Sequence, residues 1–379
     1  MRPMVKPALR RAWRGRTVQF GVTPAHALRV GPLDRVTGGF LDLLDGTRSM
    51  AVLAAEARAR GLPWERVEPL VHRLAAAGVV DDTEAGPPAA AALRAGPGAL
   101  DRLRGELASL SVVHAAPGAA CARLASRGGT RVRVHGAGRV GAAVAAALTA
   151  AGVGRVEVQD GGTVEPWDAG PGGLPPEAIG ERRQAAAARL VRTSAPGGAP
   201  PGAAAARNAP LALVVVAPRD GLAAYRPEPG AAQAWTAAGI PHLYAGVVEA
   251  TGFVGPLVLP GGTACAGCLL RTAAARDPHE PRMLAQWRSG RGARAVPACD
   301  GALAAAVAGL TAAHALSFLD GELPTSTGAR WEVAQPLLDW RPRRVAPHPH
   351  CPCGAFAKTT ASEGVGMAET EAERDTMAV

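Results

Sequence analysis

Lysine is almost missing from this chain: among 41 basic residues only Lys6 and Lys358 are not arginine. Aromatic residues are scarce at 4%, and charged residues reach only 19%. The net charge of +9 therefore comes from arginines scattered through an Ala-, Gly- and Pro-rich background. No basic stripe is interleaved with aromatic side chains, so the charge does not make a nucleic-acid footprint and nucleic acid is not an expected partner. Six cysteines in 379 residues exclude a disulfide-stapled miniprotein. No apolar run approaches the ~18 residues of a membrane span without an Arg, Gly or Pro, so no membrane association is expected. The start, Met1 to Arg11, is basic and leads into Trp13-Arg14-Gly15-Arg16 rather than an apolar secretion core, which makes the cytoplasm the expected compartment.

What is present points to a globular α/β protein. Hydrophobic residues make up 48%, and the length suits two or three domains of ~100–200 residues. Residues 1–85 read as a domain of their own. Short strand-like runs, Thr17–Val22 and Ala27–Val30, are followed by a helix at Phe40–Leu44, a second helix capped by Ser49, and a third from Trp64 to Ala77. Val67, Leu70, Val71 and Leu74 lie on one face of that third helix. With a closing Val79-Val80 this is the outline of a winged helix. Residues 86–98, rich in Ala, Gly and Pro, read as a linker, and residues 358–379, polar with no apolar period, as a disordered tail.

Between them, residues 99–357 alternate valine-rich runs with alanine-rich helical stretches. Arg131–Val134, Val156–Val158, Leu211–Val216 and His242–Val248 are the expected strands, and the alternation predicts a Rossmann-like, doubly wound parallel sheet. His135-Gly136-Ala137-Gly138-Arg139-Val140-Gly141 fits GxGxxG between a strand and a helix. Its glycines allow a tight turn and close backbone approach to phosphate. Asp160 ends the next strand about 20 residues later, where an acid can accept ribose hydroxyls. An empty fold that keeps the turn for packing is the alternative.

The cysteines read as metal ligands before disulfides. Cys265-Ala-Gly-Cys268 and Cys351-Pro-Cys353 form two pairs suited to a structural Zn²⁺ that staples the chain end to the core, with free thiols as the alternative. Cys299, just ahead of an apolar helix at Ala302–Leu319, is the candidate nucleophile, since a helix N-terminus can lower a thiol pKa; a small packed residue is the bland reading. Cys121 reads as packing, and so does His135 beside the glycine loop.

Val134 to Gly141, Ala151-Gly-Val-Gly154, Val156 to Asp160, Val164-Glu165 and Ile179-Gly180 together resemble the nucleotide-binding region of the ThiF/MoeB family, relatives of ubiquitin-activating enzymes. The cysteine pairs fit as well, and the resemblance covers roughly residues 100–355. It implies ATP- and Mg²⁺-dependent adenylation of a C-terminal carboxylate, with Gly136, Gly138, Gly141 and Asp160 at the nucleotide and Arg183 in the place of the family's lysine. Three positions depart from the pattern. Gly162 stands where the family has a second Asp, the segment from Asp168 to Leu174 lacks the family's Arg, and Arg219 precedes Asp220 where the family's metal-binding Asp falls earlier. The CxC spacing also departs from the family's second CxxC, which leaves His350 as an alternative zinc ligand.

A winged helix ahead of a degenerate, zinc-stapled ThiF-like domain resembles the leader-binding proteins of azoline and thiopeptide biosynthesis. That resemblance implies capture of a precursor's leader peptide as an added strand, presentation to a YcaO-type cyclodehydratase, and a homodimer as is common in the family. The alternative it leaves open is a working adenylyltransferase acting on a ubiquitin-like carrier or a peptide carboxylate.

Overall fold

The computed structural model describes residues 1–95, 98–197, 203–289 and 296–358. All but the first residue of the expected tail, and residues 96–97 of the expected linker, lie outside these residues. The chain divides into two compact units, Met1–Gly129 with Pro196–Ala204, and Thr130–Ala195 with Ala205–Val379.

In the first unit, Arg11–Arg14, Thr17–Phe20 and Leu28–Val30 form an antiparallel sheet in that order, so Leu28–Val30 is an edge strand. Gly15, with φ +60°, makes the tight turn between the first two strands. Along Thr17–Phe20 the alternation is strict: Val18 and Phe20 are fully buried while Thr17 and Gln19 are partly exposed. Three helices follow, Arg35–Phe40, Met50–Ala59 and Trp64–Ala76. The Asp34 carboxylate accepts from the Thr37 N–H at 2.7 Å to start the first, and the Ser49 hydroxyl accepts from Val52 to start the second. Val67, Leu70, Val71 and Leu74 of the third are buried with Phe40, Leu53 and Val80, as their helical spacing requires. A two-stranded ribbon, Pro3–Val5 against Val80–Asp82, closes the unit.

Two features go beyond the sequence reading. Arg11–Arg14 is a strand although nothing in it alternates, because an edge strand exposed on both faces needs no apolar period. The segment 86–98, expected to be a linker, carries the helix Pro88–Ala95, and the unit runs on to Gly129 rather than stopping at residue 85. The reason is local: Pro88 pre-sets the first helical turn and a run of alanines follows. The Lys6 ammonium, 1% exposed, donates to the carbonyls of Ser111 at 2.6 Å and of His114 and Ala115 at 3.2 Å, tying the first strand to the end of helix Arg104–Val113.

The second unit is built on a seven-stranded sheet. Its order is Arg341–Arg344, Ala329–Ala334, Thr251–Val258, His242–Val248, Leu211–Val216, Arg131–His135 and Arg155–Gln159. The last four are mutually parallel, which is the Rossmann-like half that the sequence predicts. Leu213, Val214 and Val215 are fully buried, as a central parallel strand covered on both faces demands. The first three strands add an antiparallel extension. Among the described residues one helix, Gly301–Leu319, has the length and apolarity of a membrane crossing. Here Leu303, Ala304, Val307, Ala308, Ala312 and Ala315 bury one side of it in the core of the sheet unit.

Candidate functional site

In the parallel half, Arg131–His135 lies between Arg155–Gln159 and Leu211–Val216, so the chain winds in opposite directions on either side of it. Open α/β sheets bind ligands beyond the strand ends at such a point, and the glycine loop stands there. Gly136 has φ +114°, and a Cβ on it would lie 1.9 Å from the Ala217 carbonyl oxygen. A Cβ at Gly141 would sit 2.2 Å from the Gly136 oxygen, and one at Gly138 would press on Arg219. The loop geometry therefore accounts for all three glycines.

The space around the loop is held by the chain's own charges. One oxygen of Asp160 accepts from the Ala137 N–H at 2.5 Å, and the other accepts from Arg183 Nε at 2.9 Å. Arg183 also donates to the carbonyls of Thr163 and Gly161, at 2.6 and 2.5 Å. Gly162, φ +75°, stands beside this guanidinium, 2.9 Å from where its Cβ would be. Asp168, 2% exposed, faces Arg183 at 3.6 Å and Arg219 at 2.5 Å, while Arg219 lies over the Trp167 ring. Arg139 completes the cluster by donating to the carbonyls of Trp167 and Cys299. Among the described residues, Asp220 accepts from the Leu222 N–H, at the start of a short helix. The sequence-predicted residues Gly136, Gly138, Gly141, Asp160 and Arg183 are thus brought together. Asp168 and Arg219 join them as partners the sequence reading did not assign.

Cys299 lies close to this cluster through its carbonyl, but the balance at its thiol runs against an activated nucleophile. Burial pushes that thiol up, with Arg139 opposing and Asp300 reinforcing the shift. The Asp300 carboxylate accepts from the N–H groups of Ala302 and Leu303 at 3.0 Å, so the helix end that would stabilise a thiolate is capped by a carboxylate. His135 packs against Trp235, ring centroids 4.8 Å apart, and burial lowers its pKa below the ordinary imidazole value. That is the packing role expected of it.

The metal-ligand residues converge fully. The Sγ atoms of Cys265, Cys268, Cys351 and Cys353 all lie within 4.8 Å of one another, a group that could hold a metal ion. The contacts are 3.9 Å for Cys265 to Cys268 and 3.6 Å for both Cys265 to Cys351 and Cys268 to Cys353. A tetrahedral ion with metal–sulfur bonds of ~2.3 Å requires edges of about 3.8 Å, so the set fits Zn²⁺. His350 is exposed and outside the set of four, so the alternative ligand is not needed.

The first unit carries a second feature. A groove of about 450 Å³ runs between the edge strand Leu28–Val30 and the helix Trp64–Ala76, lined by Leu28, Arg29, Val30, Leu70, Arg73 and Leu74 among others. Leu70 and Leu74 face it, while Val71 is turned fully into the core.

The model of the ThiF family matches residues 119–199 and 229–354, together more than half of the chain. Comparison with curated protein sequences gives no match. Among solved structures, E. coli MccB with ATP aligns with a TM-score of 0.66 at 15% identity, covering 93% of this chain and 99% of that one. The microcin C7 biosynthetic enzyme MccB in complex with N-formylated MccA gives 0.67 at 14% identity, covering 93% and 99%. The heterocyclase TruD gives 0.58 at 16% identity over 96% of this chain and 44% of that one. At such identities the likeness is one of fold.

Proposed function

The chain belongs to the ThiF family, and from that premise we propose that it is a catalytically degenerate member that binds a precursor leader peptide and presents it to a partner cyclodehydratase of the YcaO type in ribosomal peptide biosynthesis. The observation that carries the reading is the groove beside Leu28–Val30. An edge strand offers a row of unpaired backbone groups, and the helix side chains across the groove supply selectivity, so a peptide can add there as a further strand. The relatives fit this setting: MccB is a microcin C7 biosynthetic enzyme solved with MccA, and TruD is a heterocyclase.

The nucleotide crevice supports the degenerate half of the reading. Adenylation needs free donors and metal-binding acids aimed at the phosphates as charge develops. In this chain the Asp160 carboxylate already takes the Ala137 N–H, Arg183 is committed to Asp160 and two carbonyls, and Arg219 is paired with Asp168 through Nε. Zn²⁺ held by Cys265, Cys268, Cys351 and Cys353 is structural in this proposal: four thiolates leave no open position for a substrate, and the ion joins the end of the described chain to helix Ala266–Arg276. Residues 1–129 would then be the peptide-recognition unit, and a homodimer the working form.

A second reading, ATP-dependent adenylation of a carrier or peptide carboxylate, draws on the intact glycine loop and on the MccB structure with ATP. One experiment separates the two: titration of the full chain with precursor peptides encoded beside its gene, followed by ATP–pyrophosphate exchange with the same peptides. Saturable binding with background exchange is the expected result. Exchange that depends on peptide and disappears in Asp160→Ala would establish the second reading instead.

A further inference from the structure

The groove says more about its occupant than that it is extended. Leu28–Val30 pairs with Thr17–Phe20 in the register Val18 to Val30, Gln19 to Arg29 and Phe20 to Leu28. Leu28 and Val30 are half-buried and pack on the core of the unit, while Arg29, between them, is exposed on the opposite face. A strand added at the free edge has the same two-residue period, so its residues beside Leu28 and Val30 turn toward the helix and the one beside Arg29 turns outward. On the helix side, Leu70 and Leu74 form the apolar floor and Arg73 stands exposed on the rim. Among the described residues neither Arg29 nor Arg73 makes an ion pair or a side-chain hydrogen bond. An uncommitted Arg29 facing outward between two residues that border an apolar floor complements one pattern on the added strand: apolar, acidic, apolar.

Resting on the reading of this groove as the peptide-docking edge, we propose that its ligand is an acidic peptide segment in which Asp or Glu alternates with large apolar residues, the outward carboxylates meeting Arg29 and the apolar side chains entering between the strand and Leu70 and Leu74. The backbone ladder provides sequence-tolerant affinity, and Arg29 selects against neutral and basic segments by cross-strand charge pairing.

The test uses the full chain and three fluorescein-labelled synthetic peptides that differ only in the residue between leucines, Leu-Glu-Leu, Leu-Gln-Leu or Leu-Lys-Leu, read by anisotropy. The Glu peptide should bind most tightly and the Lys peptide about tenfold more weakly, with the gap closing as salt rises. Arg29→Glu, at an exposed position, should reverse the ranking and Arg29→Gln should flatten it, while Arg73→Glu on the helix side should leave the order unchanged. Equal affinity for all three peptides, abolished by Ala77→Trp at the groove's exposed rim, would overturn the acidic preference while leaving the peptide groove standing. Failure of all three to bind would remove both. Displacement of the Glu peptide by a short single-stranded oligonucleotide, lost in Arg29→Glu, would reassign the surface to nucleic acid and overturn the proposal.

Discussion

Asp160 and Arg183 form an ion pair at 2.9 Å directly under the glycine loop, and the second Asp160 oxygen closes on the Ala137 N–H. A carboxylate thus sits against a backbone donor that a glycine loop otherwise turns toward an anion. The arrangement couples two departures from the family's pattern: glycine at position 162 gives room for the Arg183 guanidinium, and that guanidinium neutralises the acid.

The consequence for nucleotide is direct. Calorimetric titration with ATP and Mg²⁺ should show weak or no saturable binding, and ATP–pyrophosphate exchange should remain at background with any carboxylate substrate. Tight binding by the unaltered chain would mean that the cluster opens on contact with nucleotide.

The loop itself should be intolerant of any side chain. Gly136→Ala places a Cβ on the Ala217 carbonyl at a backbone angle that L residues rarely adopt. A cost of about 3 kcal/mol or more is expected, read as a fall in urea midpoint. A variant of unchanged stability would show that the loop is free to move away from Ala217.

Metal analysis of the purified chain should give about one zinc per chain, the capacity of a four-thiolate site. Cys265→Ser and Cys351→Ser should each lower the content and the melting temperature. Without a cation the four sulfurs cannot all ionise, since contact with Cys268 and burial push the Cys265 thiol up to about 12. Chelation should therefore destabilise the unaltered chain, and zinc retained in full by both variants would remove the assignment.

Lys6→Met tests the tie between the first strand and helix Arg104–Val113. The substitution keeps the length but leaves three carbonyls without their donor, a loss of about 2–4 kcal/mol. If the first unit ended at residue 85, the variant would unfold at the same denaturant concentration as the parent.

Much of this was legible because particular residues leave few options. Leu211–Val216 is apolar throughout and can only be a buried strand, GxGxxG after Arg131–Val134 places the crevice, and two cysteine pairs name their own site. The antiparallel extension was hidden for physical reasons. Thr251–Val258 contains Gly252, Gly255 and Pro256, which read as breakers; yet Gly252 is where Val307 approaches, 2.5 Å from where a Cβ would be, and Gly255 accompanies the break in register between Val254 and Leu257. Arg341–Arg344 and Arg11–Arg14 are exposed on both faces and carry no period. Asp168 and Arg219 are 51 residues apart, and no local spacing announces such a pair. The nearest signal was the Glu165-Pro-Trp-Asp168 box, in which Asp168 accepts from the Glu165 N–H.

The acid limb of stability should report on Glu157. This side chain, on the outermost parallel strand, accepts from Arg131, Arg133 and Arg155. Burial pushes its pKa up, but the three guanidiniums outweigh that and hold it at about 2, below the ordinary value of 4.5. A carboxyl whose pKa is lower folded than unfolded contributes stability that is complete above the unfolded value and is lost as pH falls toward the folded one. Between about pH 4.5 and pH 2, therefore, the unfolded chain takes up a proton at Glu157 that the folded chain refuses, and the unfolding equilibrium moves accordingly. Glu157→Gln removes the titrating group and leaves three arginines clustered without their acid. The variant should be less stable at neutral pH by roughly 1–2 kcal/mol, a partly exposed cluster being screened by water. It should then lose less than the parent on acidification, so that the two urea midpoints converge as pH drops from 6 toward 3. Parallel decline of the two would show that the acid sensitivity arises elsewhere, with Asp45, also held at about 2 by hydrogen bonds from Thr47, as the group to substitute next.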